Sequence, residues 1–96
     1  MAETFSRFDA ADHLETAEDI AEYLAAAAED GDPAALVAAL GTVARARNMS
    51  QLARDAGLTR EGLYKALSPD GNPSFATVAK VARALGLGVR LAPAAA

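Results

Sequence analysis

The segment Asn48-Met-Ser-Gln-Leu-Ala-Arg-Asp-Ala-Gly-Leu-Thr-Arg-Glu-Gly-Leu-Tyr-Lys-Ala-Leu67 decides the fold of this 96-residue chain. Its pattern predicts two short helices joined by a tight turn. Gly57 supplies the positive φ that such a turn needs, and Ala53 lets the two helices approach closely. The remaining apolar positions are expected to face inward: Leu52, Ala56, Leu58, Leu63 and Leu67.

The outward side of the second helix carries side chains suited to reading DNA. They lie at the start of the helix and one turn later: Thr59, Arg60, Glu61, Tyr64 and Lys65. An arginine can donate two hydrogen bonds to guanine, a glutamate can accept one from cytosine, and a lysine can reach a phosphate. The segment therefore predicts a helix-turn-helix whose second helix enters a major groove. The alternative is a charged helix in a small bundle that touches no nucleic acid.

The formal net charge of −4 hides a strong asymmetry along the chain. Residues 1–32 carry ten acidic side chains and one basic one, for a net charge of −9, whereas residues 33–96 carry three acidic and eight basic ones, for +5. This separation indicates a basic surface suited to phosphates and an acidic surface suited to a basic partner. An acidic face that only keeps the protein soluble is the alternative, and charge alone does not decide between them.

Two helices are predicted before the opening segment. Thr16, with Asp19 three residues later, predicts a helix from Ala17 to about Glu29. Asp32 followed by Pro33 predicts a second helix that runs to about Arg47. The apolar stripes expected to be buried are Ile20, Tyr23, Leu24, Ala27 and Ala28 in the first helix, and Leu36, Val37, Leu40, Val43 and Ala44 in the second. Residues 1–15 show no sustained period and are expected to be irregular, with Phe5, Phe8 and Leu14 as apolar anchors.

Three further helix starts and one strand are predicted from residue 48 onward. Asn48 caps the third helix, with Gln51 placed to return a hydrogen bond, and Thr59 caps the fourth. Ser74 caps a fifth helix, whose expected buried stripe is Phe75, Val78, Val81, Ala82 and Leu85. Leu87–Leu91 alternates apolar and other residues, which predicts a short strand. Because a lone strand leaves its backbone groups unpaired, it is expected to pair with a second copy of itself or with a partner's sheet edge. We expect a homodimer, to which this strand or the exposed part of the helical bundle contributes.

The composition argues against an enzyme. The chain has no cysteine, which excludes a thiolate metal site, and its one histidine, His13, has no second histidine or cysteine to complete a metal or nucleophilic site. The simpler interpretation of His13 is a surface or capping residue. Gly86-Leu-Gly88 follows a predicted helix rather than a strand, which is the wrong setting for a phosphate loop. We expect no cofactor, no metal and no catalytic residue. No apolar run approaches the roughly 20 residues of a membrane span, and the start of the chain lacks the features of a secretory signal, so a cytoplasmic location is expected.

Four stretches carry a resemblance to a known family. They are Arg7-Phe-Asp-Ala-Ala-Asp-His-Leu14, Ala44-Arg-Ala-Arg-Asn-Met-Ser-Gln51, Leu58-Thr-Arg-Glu-Gly-Leu-Tyr-Lys-Ala-Leu-Ser68 and Asp70-Gly-Asn-Pro-Ser-Phe-Ala-Thr-Val78. Residues 33–86 resemble the lambda-repressor-like (XRE-type) helix-turn-helix domain. The longer span from about residue 5 to residue 91 is similar to a narrower group, the antidote (antitoxin) proteins of bacterial addiction modules related to the HigA type.

The resemblance implies a protein that binds its own operator as a dimer and neutralises a small RelE/ParE-like toxin. The operator contacts that the resemblance implies are Thr59, Arg60, Glu61, Tyr64 and Lys65. Contacts to the DNA backbone are implied for Ser50, Gln51 and Asn72. Many lambda-repressor-like domains place a phosphate-contacting glutamine first in the first helix of the motif. Met49 occupies that position here, and Gln51 lies two residues later.

The toxin is expected to bind the acidic N-terminal third. An RNA-cleaving toxin of this class is usually basic, so the acidic segment would complement its charge. The candidate contacts are the aromatic anchors Phe5 and Phe8 together with Asp9 and Asp12.

We therefore expect an all-α protein: a five-helix lambda-repressor-like DNA-binding domain with a short C-terminal strand. Residues 1–31 would form an acidic arm and helix, residues 32–91 the DNA-binding domain with its motif at 48–67, and residues 92–96 a frayed tail. The expected partners are double-stranded operator DNA, a cognate toxin and a second copy of the chain, with no membrane. A stand-alone phage-type repressor, and an interaction module that no longer binds DNA, are the competing interpretations.

Overall fold

Helices account for all the regular secondary structure in the part of the chain that the computed structural model describes, which is residues 14–29 and 31–94. These residues form α1 (Ala17–Ala28), α2 (Pro33–Ala46), α3 (Met49–Ala56), α4 (Arg60–Ala66) and α5 (Phe75–Ala84). The expected all-α class and the five helices are thus confirmed within the described residues.

Each helix begins at the capping residue that the sequence predicts. Thr16 and Asp19 form a reciprocal capping box, with N–H···O distances of 3.0 and 3.3 Å. Asp32 accepts from the backbone N–H of Ala34 at 3.0 Å, and Pro33 occupies the first helical position. The caps of the last three helices are Asn48, Thr59 and Ser74. A cap of this kind typically contributes about 1 kcal/mol, so local sequence fixes where every helix starts.

The core is small and joins all five helices. Its largest fully buried side chains are Ile20, Leu40, Val43, Leu63 and Val81. α1 packs on α2, while α3 packs on both α4 and α5, and a smaller contact between α2 and α3 links the two groups. The short α3 and α4 are therefore held in place by burial, since helices of this length have little stability of their own.

Leu14 extends the core beyond the start of α1. Its side chain is 6% exposed and belongs to the same cluster as Ile20 and Leu40. Leu14 is thus confirmed as an apolar anchor, and residues 14 and 15 lack regular secondary structure, as expected. The rest of the predicted irregular arm lies outside the described residues. The other two predicted anchors, Phe5 and Phe8, lie outside the described residues.

Phe75 and Ala28 were predicted to be buried, and the structure shows both exposed. Phe75 is 70% exposed at the first position of α5, one turn before the half-buried Val78. Ala28 is the last residue of α1. Each side chain lies on the apolar stripe of its helix but beyond the end of the core, so helical spacing alone misplaces it.

The predicted strand at Leu87–Leu91 is also wrong for the described chain. These residues have no regular secondary structure, and Val89 and Leu91 are 47% and 96% exposed. A strand is defined by pairing, and the described residues contain no second strand to pair with. The argument for a dimer from this segment therefore loses its basis. In the expected frayed tail, residues 92–94 likewise lack regular structure, and residues 95–96 lie outside the described part.

Candidate nucleic-acid interface

The turn between α3 and α4 is fixed by its own backbone hydrogen bonds. Gly57 has φ 74° and ψ 30°, which is the left-handed conformation predicted for it. Its N–H donates to the carbonyl of Arg54 at 3.1 Å, and the N–H of Leu58 donates to the carbonyl of Ala53 at 2.8 Å. Ala53 is 2% exposed, so α3 presents only a methyl group where it is buried against its neighbours. The turn therefore depends on a glycine with positive φ, and the adjoining part of α3 is packed through a small alanine side chain.

One side of α4 is buried, and its other side is open to solvent. Leu63 at 0% and Leu67 at 4% exposure anchor the helix in the core. The side chains predicted to contact DNA are all exposed: Thr59, Arg60, Glu61, Tyr64 and Lys65. The hydroxyl oxygen of Thr59 accepts from the N–H of Gly62 at 2.9 Å. α4 thus presents two cations, a carboxylate and a phenol together on one accessible face.

The first turn of α3 differs from its prediction in one hydrogen bond. The Asn48 side chain accepts from the backbone N–H of Gln51 at 3.0 Å, as expected of a cap. The Gln51 amide does not return a bond to Asn48; it donates to Asp55 at 2.8 Å and accepts from Arg54 at 3.1 Å. The charged side chains of Arg54 and Asp55, one turn later, compete successfully for the amide. A phosphate contact by Gln51 would have to replace these bonds, whereas the neighbouring Ser50 is exposed.

The loop after α4 holds the last predicted contact, Asn72. The backbone N–H of Gly71 donates to the carbonyl of Ser68 at 2.8 Å, which closes the turn just before Asn72. Asn72 is exposed and precedes the cap of α5 by two residues. The turn therefore leaves this amide accessible, in the same way as the polar face of α4.

The exposed charges divide between α1 and the other helices as they do along the chain. Four acidic side chains lie exposed on the outward side of α1 and its flanks, away from the buried Ile20: Glu15, Glu18, Glu22 and Glu29. The basic side chains of the remaining helices and their flanks are exposed as well: Arg45, Arg47, Arg54, Arg60, Lys65, Lys80, Arg83 and Arg90. The structure thus gives α1 a negative outward face and gives α2 to α5 a surplus of cations.

The structure brings one cation next to α4 that the sequence pattern does not single out. Arg45, in the last turn of α2, lines a small cleft together with Met49, Tyr64 and Ser68. Residues 45 and 64 are far apart in sequence, and no local period links them, so only the tertiary packing reveals their proximity.

Several expectations fall on residues or sites that the structure does not describe. The candidate toxin contacts lie outside the described residues: Phe5, Phe8, Asp9 and Asp12.

Within residues 14–29 and 31–94, no group of three or more His, Cys, Asp or Glu side chains is placed to hold a metal ion. No helix in this same part of the chain is both long enough and apolar enough to cross a membrane.

Comparison with known proteins assigns the family. The family described as "probable addiction module antidote protein" matches residues 4–93, which is nearly the whole chain. A protein of Haemophilus influenzae, described only as uncharacterized, is 55% identical over 87 residues that cover 91% of this chain and 90% of that protein. No solved structure matches the chain. The protein described here therefore belongs to the family of addiction module antidote proteins.

Proposed function

We propose that this protein is the antitoxin of a type II toxin–antitoxin module, that it represses its own operator, and that it neutralises a RelE/ParE-like toxin. The family assignment across residues 4–93 carries the proposal, because an antidote requires a toxin partner of some kind. The same assignment favours an antidote over a stand-alone phage-type repressor. In this proposal the protein is HigA-related, and residues 32–91 form a lambda-repressor-like domain.

The DNA-binding part of the proposal rests on α3 and α4. A rigid turn joins them, α4 is anchored by Leu63, and its outward face is polar and accessible. These properties are what a helix needs to enter a major groove, which admits an α-helix and displays a distinct pattern for each base pair. In this arrangement Arg60 and Glu61 read bases, while Thr59 and Lys65 contact phosphates and Tyr64 contacts a sugar or a methyl group.

The toxin-binding part rests on charge. The outward face of α1 carries Glu18, Glu22 and Glu29 with no basic residue on the helix. Like charges one turn apart destabilise a helix slightly, and a basic partner would remove that repulsion. Together with Phe5, Phe8, Asp9 and Asp12 as contacts, this face gives the toxin an acidic surface with two aromatic anchors, and complementary charge speeds such an association.

A homodimer completes the proposal. A recognition helix reads only a few base pairs, and two-fold dimers bind half-sites about one helical turn apart. We propose an inverted-repeat operator for this reason, without assigning the dimer contact to the C-terminal segment. Light scattering of the protein with and without operator measures the mass directly, and a monomer under both conditions contradicts this part.

Two assays test the proposed function as a whole. The first titrates the protein against duplex DNA from upstream of its own gene and against a scrambled duplex, with preferential binding to the upstream DNA expected. The second co-expresses the protein with the product of the neighbouring gene, with rescue of growth expected. Binding without rescue would favour a stand-alone repressor, and rescue without binding would show an antidote that does not read DNA.

A further inference from the structure

A small cleft lies where α2, α3 and α4 meet. Its walls include Arg45 at the end of α2, Met49 at the start of α3, Tyr64 on α4, and Ser68 and Pro69 in the following turn. The cleft has a volume of about 80 Å³ and is open to solvent on one side. Neither the family assignment nor the proposed recognition residues give a role to Arg45.

Gly41 and the end of α4 determine where the Arg45 guanidinium lies. A Cβ atom at Gly41 would be 3.1 Å from Nη1 of Arg45 and 3.0 Å from the carbonyl oxygen of Leu67. The guanidinium therefore folds back over Gly41, toward the carbonyl end of α4. Carbonyl groups at a helix C-terminus attract cations, which favours this position of the exposed arginine.

This position is at the border of the surface that reads DNA in the proposed function. Tyr64 belongs to the exposed face of α4 and also lines the cleft, and Met49 is followed directly by the exposed Ser50. A duplex with its major groove against α4 would bring a backbone strand to the edge of that helix. Arg45 is the basic residue of α2 that lines the cleft at this border.

We propose, on the basis of the proposed function, that Arg45 binds a phosphate of the DNA backbone in this cleft. The guanidinium supplies the charge and can donate two parallel hydrogen bonds to a phosphate. Tyr64, which contacts a sugar or a methyl group in the proposed function, lines the same cleft. The Ser68 hydroxyl is not a donor here, because its proton is committed to the carbonyl of Lys65 at 2.8 Å. No base edge is involved, so the contact adds affinity without sequence preference.

The test compares Arg45→Ala with the wild type and with Arg83→Ala, which removes one exposed cation from the last turn of α5, outside the cleft. Fluorescence anisotropy is measured with the upstream duplex and with a scrambled duplex over a series of salt concentrations. Arg45→Ala should bind both duplexes roughly three- to tenfold more weakly, and its salt slope should fall by about 1. Arg45→Lys should recover part of the loss, and Arg83→Ala should lose less.

Three outcomes separate this inference from the proposed function. If the wild type binds neither duplex, this inference and the DNA-binding part of the proposed function are both overturned. If the wild type prefers the upstream duplex but Arg45→Ala matches it in affinity and salt slope, only the phosphate contact is overturned. Equal losses for Arg45→Ala and Arg83→Ala would show a general charge effect and would also overturn it. Circular dichroism melting of each variant confirms that the compared proteins are folded.

Discussion

Arg60 is the first residue of α4, and its side chain is exposed beside the turn that fixes the helix. An arginine there can pair with guanine O6 and N7, a contact that discriminates by about 1–3 kcal/mol against a wrong base. Arg60→Ala should therefore weaken binding to the upstream duplex by that amount and relax the preference at one base pair. A gel-shift titration over single-base variants of the duplex measures both effects. Unchanged affinity and preference would show that α4 does not read bases.

Replacing Lys65 should affect DNA affinity but not sequence preference, in contrast to replacing Arg60. It lies one turn further along α4, exposed, and its flexible ammonium suits a phosphate better than a base edge. Lys65→Ala should weaken specific and scrambled duplexes alike and lower the salt slope by about 1. The comparison with Arg60→Ala is informative because both variants remove one positive charge from the same helix. A change in sequence preference for Lys65→Ala would contradict the assignment.

Gly57 forms the turn between α3 and α4, and its backbone conformation predicts an effect of substitution on folding stability that can be measured without any ligand. Its φ of 74° is strained for a residue with a Cβ, although no atom lies within 4 Å of the added carbon. Gly57→Ala should therefore lower the free energy of unfolding by about 1–2 kcal/mol. Gly88→Ala is the matched control, since that position is equally open and has no such φ. Urea denaturation should show almost no change for Gly88→Ala, and equal losses would mean that backbone strain is not the cause.

At the scale of the elements, helix positions were predictable because their signals are local. A cap such as Thr16 or Asp32 and a stop such as Gly57 act within a few residues of themselves. The strand predicted at residues 87–91 is absent, because alternation marks a strand only where a neighbouring strand pairs with it. The predicted burial of Phe75 was wrong because helical spacing shows which side of the helix faces the core but not where along the helix the core ends.

In the candidate site too, local features were predictable from the sequence and tertiary ones were not. The exposure of one face of α4 follows from the period of a single helix, so the sequence predicts which side chains lie on that face. The position of Arg45 beside Tyr64 depends on how α2 packs near the turn after α4 and on the missing side chain at Gly41. The hydrogen-bond partners of the Gln51 amide were not predicted because Arg54 and Asp55, one turn later, offer alternatives to the cap.

The charge of α1 makes a prediction for that helix as a unit. Glu18, Glu22 and Glu29 are exposed and lie away from the buried Ile20, so replacing all three by glutamine should leave the fold intact. If the face attracts a basic toxin, the triple variant should associate more slowly, and its association rate should depend less on salt. Surface plasmon resonance with the toxin gives both quantities. An unchanged association rate at low salt would remove α1 from the interface.

At the scale of the whole molecule, the question is whether toxin binding and DNA binding are separable. Among the described residues, the core begins at Leu14, and the cap of α1 is Thr16. Deleting residues 1–12 therefore keeps every described helix, every described cap and every described core side chain. It removes Phe5, Phe8, Asp9 and Asp12 together.

We expect this shortened protein to fold and to bind the upstream duplex as the wild type does, yet to lose most of its affinity for the toxin in a pull-down. The full-length double variant Phe5→Ala/Phe8→Ala should show the same selective loss, because aromatic anchors dominate the energy of many interfaces. Deleting residues 1–15 is the contrasting control, since it also removes Leu14, and loss of a buried leucine costs about 2–5 kcal/mol. That deletion should lower stability and weaken both activities. If the 1–12 deletion retains full toxin binding, the interface lies on the helices; if it loses both activities while still folded, the two functions share one surface.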